Sequence, residues 1–144
     1  MQRGAVTLIC LLLLSTPGCA SFSRSRAARQ AQENAARTAA QRWLEMLDAG
    51  DYEGAFEHKS LRFRISGTQR QFARYMTGRR APFGRVISRD FIGAATMKTL
   101  VGLPDGEYET VLFKTIFENK SVAAERVILT REAGRRQIVE YRIY

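Results

Sequence analysis

The chain is poor in the residues that build most catalytic and metal sites. Its 144 residues include one histidine, two cysteines and one tryptophan. A lone His58 excludes the paired histidines of common zinc sites, and no Ser-His-Asp arrangement can be assembled with assurance around it. Its place beside Lys59 at a helix end reads as surface. No Walker-type loop and no glycine fingerprint occurs; Gly102 and Gly106 flank Pro104-Asp105 as turn glycines. Acidic residues are scarce, 14 against 23 lysines and arginines, for a formal net charge of +9. Long apolar runs are missing too. The run from Ala5 to Leu14, AVTLICLLLL, is well short of the roughly 20 residues that span a bilayer. The expectation is no catalytic residue, no metal and no cofactor.

What is present begins with that short run. Arg3 precedes it, and Ser15, Thr16, Pro17 and Gly18 interrupt it with small, helix-breaking residues. This is the layout of a secretory signal peptide over residues 1–18. Gly18 before Cys19 resembles the lipobox of bacterial lipoproteins, although Thr16 stands where that pattern usually has leucine. The resemblance implies cleavage before Cys19, lipid attachment (palmitate among the chains) and export. The alternative is an ordinary cut near Ala20 that leaves no lipid. Cysteine arithmetic favours acylation: Cys10 leaves with the leader, so Cys19 has no disulfide partner, and a free thiol is awkward in an oxidising compartment. Ala20 is not the aspartate that signals inner-membrane retention. The expected location is therefore the outer membrane, facing the periplasm, if the host is Gram-negative.

The remainder is long enough for one domain with a real core. Its charge is uneven. From His58 to Arg89 there is no acidic residue, while Lys59, Arg62, Arg64, Arg70, Arg74, Arg79, Arg80, Arg85 and Arg89 all fall in that stretch. One reading is an anionic partner, lipid or envelope glycan; the other is a solvated face. Export argues against nucleic acid, and a protein partner is not indicated.

Residues 19–26 suit a lipid-attached tether, and 27–144 a single α+β domain. Ala27 to Leu47 predicts a long helix, with Ala36, Ala40, Trp43 and Leu47 on one face and Gly50 as its cap. Asp51 caps a short helix through Phe56, with Tyr52, Ala55 and Phe56 inward. Leu61, Phe63 and Ile65 alternate with arginines as a short strand or an irregular link. Thr68 to Gln71 fits a capping box; Phe72, Tyr75, Met76 and Arg79 follow at helical spacing, and Gly78, Pro82 and Gly84 end that helix.

From Arg85 the period becomes two. Val86–Met97, Tyr108–Phe117, Val122–Thr130 and Arg136–Tyr144 predict four strands. The turns are Pro104-Asp105-Gly106, Glu118-Asn119-Lys120 (with Asn119 tolerating positive φ) and Ala133-Gly134. In the last strand Gln137, Val139, Tyr141 and Ile143 alternate with Ile138, Glu140 and Arg142. Helices first and strands last argue for helices packed on one face of an antiparallel sheet.

The stretches Trp43-Leu44, Asp48 to Tyr52, Arg80 to Gly84 with Ser88-Arg89, Pro104 to Tyr108, Phe113, Phe117, Asn119-Lys120, Glu125, Gly134 and Tyr141 together resemble the bacterial family called domain of unknown function 4019. That family usually has tryptophan where this chain has Arg136, and glycine where it has Glu140. The resemblance implies a cystatin-like or nuclear-transport-factor-like fold, with a long N-terminal helix and short helices on a curved four-stranded antiparallel sheet. It implies no reaction. Domains of that shape often carry a pocket between helix and sheet. Of the strand residues Asp90, Glu109, Glu125 and Arg126, one or two are expected to point inward. Arg80, Arg89 and Glu125 are the candidate ligand or anion contacts, with a cross-strand Arg89–Glu125 ion pair as the structural alternative. The leading expectation is a lipid-anchored, non-enzymatic binding or accessory protein of the cell envelope. The alternative is a small pocket-containing hydrolase or isomerase. A deep pocket with a buried carboxylate would favour the second; a cone closed by Leu112, Phe113, Phe117 and Tyr141 would favour the first.

Overall fold

A computed structural model describes residues 18–64 and 67–144; residues 1–17 of the leader, and Ile65, lie outside the described residues. The chain runs through helix α1 (Gly18–Asp48), α2 (Tyr52–Glu57), α3 (Gln69–Arg80) and strands β1 (Val86–Met97), β2 (Tyr108–Phe117), β3 (Lys120–Glu132) and β4 (Arg135–Ile143). The strands form one antiparallel meander in the order β1-β2-β3-β4. The expected α+β architecture stands.

α1 begins earlier than the Ala27 read from the sequence. Alanine and arginine are strong helix formers, and no proline or glycine interrupts the segment between Gly18 and Gly50. Its 31 residues make a rod roughly 46 Å long. Ser23 to Gln32 is exposed, and the buried stripe starts at Ala36. That stripe is the predicted Ala36, Ala40, Trp43 and Leu47, joined by Leu44. It packs on Val111, Phe113, Val127, Leu129 and Ile138 from the sheet. Trp43 is 2% exposed, donates Nε1–H to the Ala55 carbonyl at 2.8 Å, and meets Tyr141 edge-on at 5.4 Å. The helix stops as expected at Gly50, whose φ of 75° lets Asp51 N–H reach back to the Met46 carbonyl.

Asp51 caps α2 by accepting from Gly54 N–H. Phe56 of α2 packs against Phe72 of α3. The predicted capping box at Thr68–Gln71 is present in both directions. The inward face of α3 differs from expectation. It is Phe72, Met76 and Arg80, a strict i, i+4 row; Tyr75 and Arg79 point to solvent and bond to each other. Gly78 sits inside the helix, which ends at Arg80 and passes into a 3₁₀ turn at Ala81–Phe83. The link after α2 is irregular, with a 3₁₀ turn at Leu61–Phe63. Lys59 bridges Ile138, Ser60 N–H donates to the Ile138 carbonyl and Ile138 N–H to that of His58. The link thereby covers part of the β4 edge.

The two faces of β2 divide with a period of two. Val111 and Phe113 join the helices, while Tyr108 faces the other way, with Ile128 and Val139 under Leu100 and Leu103 of the β1–β2 connection. β4 breaks its expected alternation. A register shift opposite Ile128/Leu129 inserts Val139 as an extra residue, so Ile138 and Tyr141 both reach the helix side. The Ala133-Gly134 turn has positive φ at both residues, as a type I′ hairpin requires. Asn119 does not: Ala133 is the only described non-glycine residue with positive φ. The register shift after Thr115 accommodates that turn instead, and Asn119 bonds to the Pro82 and Phe83 carbonyls.

Candidate functional site

Arg80, Arg89 and Glu125 come together, but not as the sequence suggested. Glu125 lies on β3 with Phe113 opposite it on β2, and Arg89 lies on β1 opposite Thr115. Arg89 and Glu125 are therefore two strands apart, and their ion pair reaches across β2 rather than between neighbouring strands. All face the helices, where the C-terminal residues of two helices meet them: Asp48 of α1 and Arg80 of α3.

The Glu125 side chain is fully shielded from solvent. Oε1 accepts from Arg80 Nη1 at 3.0 Å and Tyr141 Oη at 2.5 Å. Oε2 accepts from Arg89 Nε at 2.7 Å and Thr115 Oγ1 at 2.5 Å. Two donors per oxygen fill the acceptor sites of a carboxylate. Asp48 accepts from Arg89 Nη1 at 2.6 Å and Nη2 at 3.1 Å, and pairs with Arg80 Nη2. Two guanidinium and two carboxylate groups thus cancel. The arginines also offset the unfavourable placement of Asp48 at a helix C-terminus, where the macrodipole is negative. Arg80 further lies near the Phe117 and Tyr141 rings.

The cluster's ionisation follows from these contacts. Burial, the largest single influence, pushes the Glu125 carboxyl up. The Arg89 charge and hydrogen bonds from Arg89, Thr115 and Tyr141 outweigh it and hold the group below the usual carboxylate range. Burial acts to lower Arg89, but its bond to Asp48 and the charge of Glu125 hold it above its ordinary value. Tyr141 is raised, by burial first and then by the charge of Glu125, so it remains a donor. A carboxylate so saturated has no lone pair for a substrate proton. The arrangement locks two helix ends to all four strands.

This overturns part of the expected basic patch. Arg80 is 6% exposed and Arg89 largely buried. Arg85 pairs with Glu118 and Arg64 with Glu57. Arg62, Arg70, Arg74 and Arg79 remain exposed without a carboxylate partner among the described residues. Arg70 and Arg74 border Gly50 to Glu53, at the C-terminal end of α1 and so a whole helix length from Cys19. His58 is exposed, as expected, with Nδ1 bonded to the Gly54 carbonyl at 2.9 Å.

The other inward carboxylate is Glu109 at the far end of the sheet. Arg136 grips both its oxygens, Nε–Oε2 at 2.6 Å and Nη2–Oε1 at 2.9 Å, and Gln32 Nε2 reaches Oε1 at 3.2 Å. Asp90 is exposed, and Arg126 pairs with Glu140 on the face away from the helices. The residues at both departures from the family pattern, Arg136 and Glu140, form ion pairs. Sequence reasoning missed Thr115 and Tyr141 as partners of Glu125, and Asp48 as the partner of Arg80 and Arg89. The four-residue spacing Phe72, Met76, Arg80 was the signal that Arg80 is buried.

The chain belongs to the family described as protein of unknown function (DUF4019), whose model matches residues 39–141. No curated protein matches the chain. All six members of the ionic cluster, from Asp48 to Tyr141, fall within the matched span.

Proposed function

We propose, from this family membership and from the residues themselves, that the chain is a lipid-anchored, non-enzymatic binding or accessory protein of the cell envelope. It is acylated at Cys19, exported, and held at the outer membrane facing the periplasm. Its fold is of the cystatin-like or nuclear-transport-factor-like kind, the helix stripe lying over the sheet. The observation that carries the non-enzymatic reading is the saturation of Glu125. The best-buried carboxylate is occupied by four internal donors, and neither it nor Arg80 or Arg89 lines any of the four described clefts.

The exposed Arg62, Arg70, Arg74 and Arg79 give this protein a surface for an anionic partner, lipid or envelope glycan. With the anchor at Cys19, the long α1 sets Arg70 and Arg74 away from the attachment point. No helix among the described residues is long and apolar enough to cross a membrane. Mass spectrometry of the membrane fraction tests the anchoring. A lipid-bearing N-terminal Cys19 supports it; an unmodified N-terminus at Ala20 or Ser21 removes it.

One observation favours the hydrolase or isomerase reading. Glu109 is a buried carboxylate that does line a cleft. Among the described residues no histidine or cysteine accompanies it there.

A further inference from the structure

The two buried carboxylates differ in one respect. Both oxygens of Glu125 take two donors. In Glu109, Oε1 takes two but Oε2 takes only one from the described residues, Arg136 Nε. One acceptor position on Oε2 is therefore left, on a carboxylate that borders a cleft. The cleft has a volume of about 440 Å³, within the range of small-molecule sites. It opens where side chains shrink. Along α1 the stripe passes from Trp43 and Leu44 back to Ala36, and along β1 from Phe91 to Ala94 and Ala95.

The lining selects a ligand chemistry. Gln32 Nε2 bridges Glu109 and the Thr96 hydroxyl, at 3.2 and 3.5 Å, which leaves the Thr96 O–H and the Gln32 amide oxygen at the same wall. These groups match ligand hydroxyls. Arg136 cancels Glu109, and Arg29 lies on the same lining. Arg29 has no carboxylate partner among the described residues. Among the described residues no aromatic ring lines the cleft, which disfavours a stacked nucleobase. We propose that this cleft binds a small sugar acid, a hydroxylated ring carrying one carboxylate or phosphate. Its anionic group lies on Arg29, and a hydroxyl donates to Glu109 Oε2. The inference rests on the binding-protein reading and names its ligand class.

The test uses the full chain in detergent, titrated with glucuronate, glucose 6-phosphate and uncharged glucose by calorimetry or NMR. Saturable binding of the acids is expected, with glucose roughly tenfold weaker or more, the worth of one charge-assisted hydrogen bond. Arg29→Glu should weaken the acids by a similar factor. Ala95→Phe, at an exposed position, should block the cleft. Lys114→Glu, with the same change of net charge at an exposed position of β2 that lines none of the described clefts, should leave binding unaltered. Equal affinity for glucose, or indifference to Arg29→Glu, overturns the site. So does absence of binding at millimolar ligand. Co-sedimentation with insoluble envelope glycan, with and without competing glucuronate, separates a polymer-borne sugar acid from a free one. None of these results depends on acylation, so failure of the site and failure of the anchoring are read separately.

Discussion

Arg80 ends helix α3 with its guanidinium 3.0 Å from the Glu125 carboxylate, and the Glu125 side chain has no exposed surface. The pair joins a helix terminus to the third strand. Arg89 and Asp48 close the charge balance around it. Losing one partner strands the others in a poorly solvated site.

Glu125→Gln keeps the shape but leaves two arginines facing only Asp48. Breaking a buried ion pair from one side costs about 3–5 kcal/mol. Urea unfolding should show a loss in that range, with Arg80→Gln similar. A loss under about 1 kcal/mol would mean the cluster is better hydrated than its geometry indicates.

The pH dependence has a definite sign. The folded Glu125 carboxyl lies below its ordinary value, so the unfolded chain binds the proton more readily. Its stabilisation is fully present above the unfolded pKa, about 4.3, and is lost as pH falls through the depressed folded value. Melting temperature should drop steeply below about pH 4. In Glu125→Gln that drop should be shallower. Parallel profiles for parent and variant would assign the acid sensitivity to other carboxylates.

Trp43→Ala removes the largest side chain of the α1 stripe and its bond to Ala55. The expected loss is on the order of 3–5 kcal/mol. Trp43→Phe, which keeps ring volume and loses the N–H donor, should cost less. The parent should also fluoresce as a buried indole, shifting red only on unfolding; a red emission in the native state would place Trp43 in water, contrary to its position here.

For the exposed basic face, Arg70→Gln with Arg74→Gln should leave stability within about 0.5 kcal/mol. It should reduce the preference of the protein for anionic over neutral vesicles, a preference that itself falls with salt. Arg80 must be left out of such a variant because it is a core residue. If the parent shows no preference in co-sedimentation, the surface is a solvated face.

Local pattern was legible without coordinates wherever the signal is short-ranged. The α1 stripe, the Gly50 stop, the Asp51 and Thr68 caps, the four strands and the Ala133-Gly134 turn all depend on residues within a few positions of each other. The sequence also put Arg80, Arg89 and Glu125 forward as residues to watch. Long-range partnership was not legible. Arg80 looked like one charge in a basic run, and only the packing of α3 turns it toward a carboxylate 45 residues away. The bulge that inserts Val139 reverses the facing of the strand beyond it, so period-two reading failed at Ile138 and Tyr141. Charge, caps and periodicity are properties of neighbours along the chain. Which arginine is buried against which carboxylate is decided by desolvation across the core, and that exists only once helices and sheet have closed on one another.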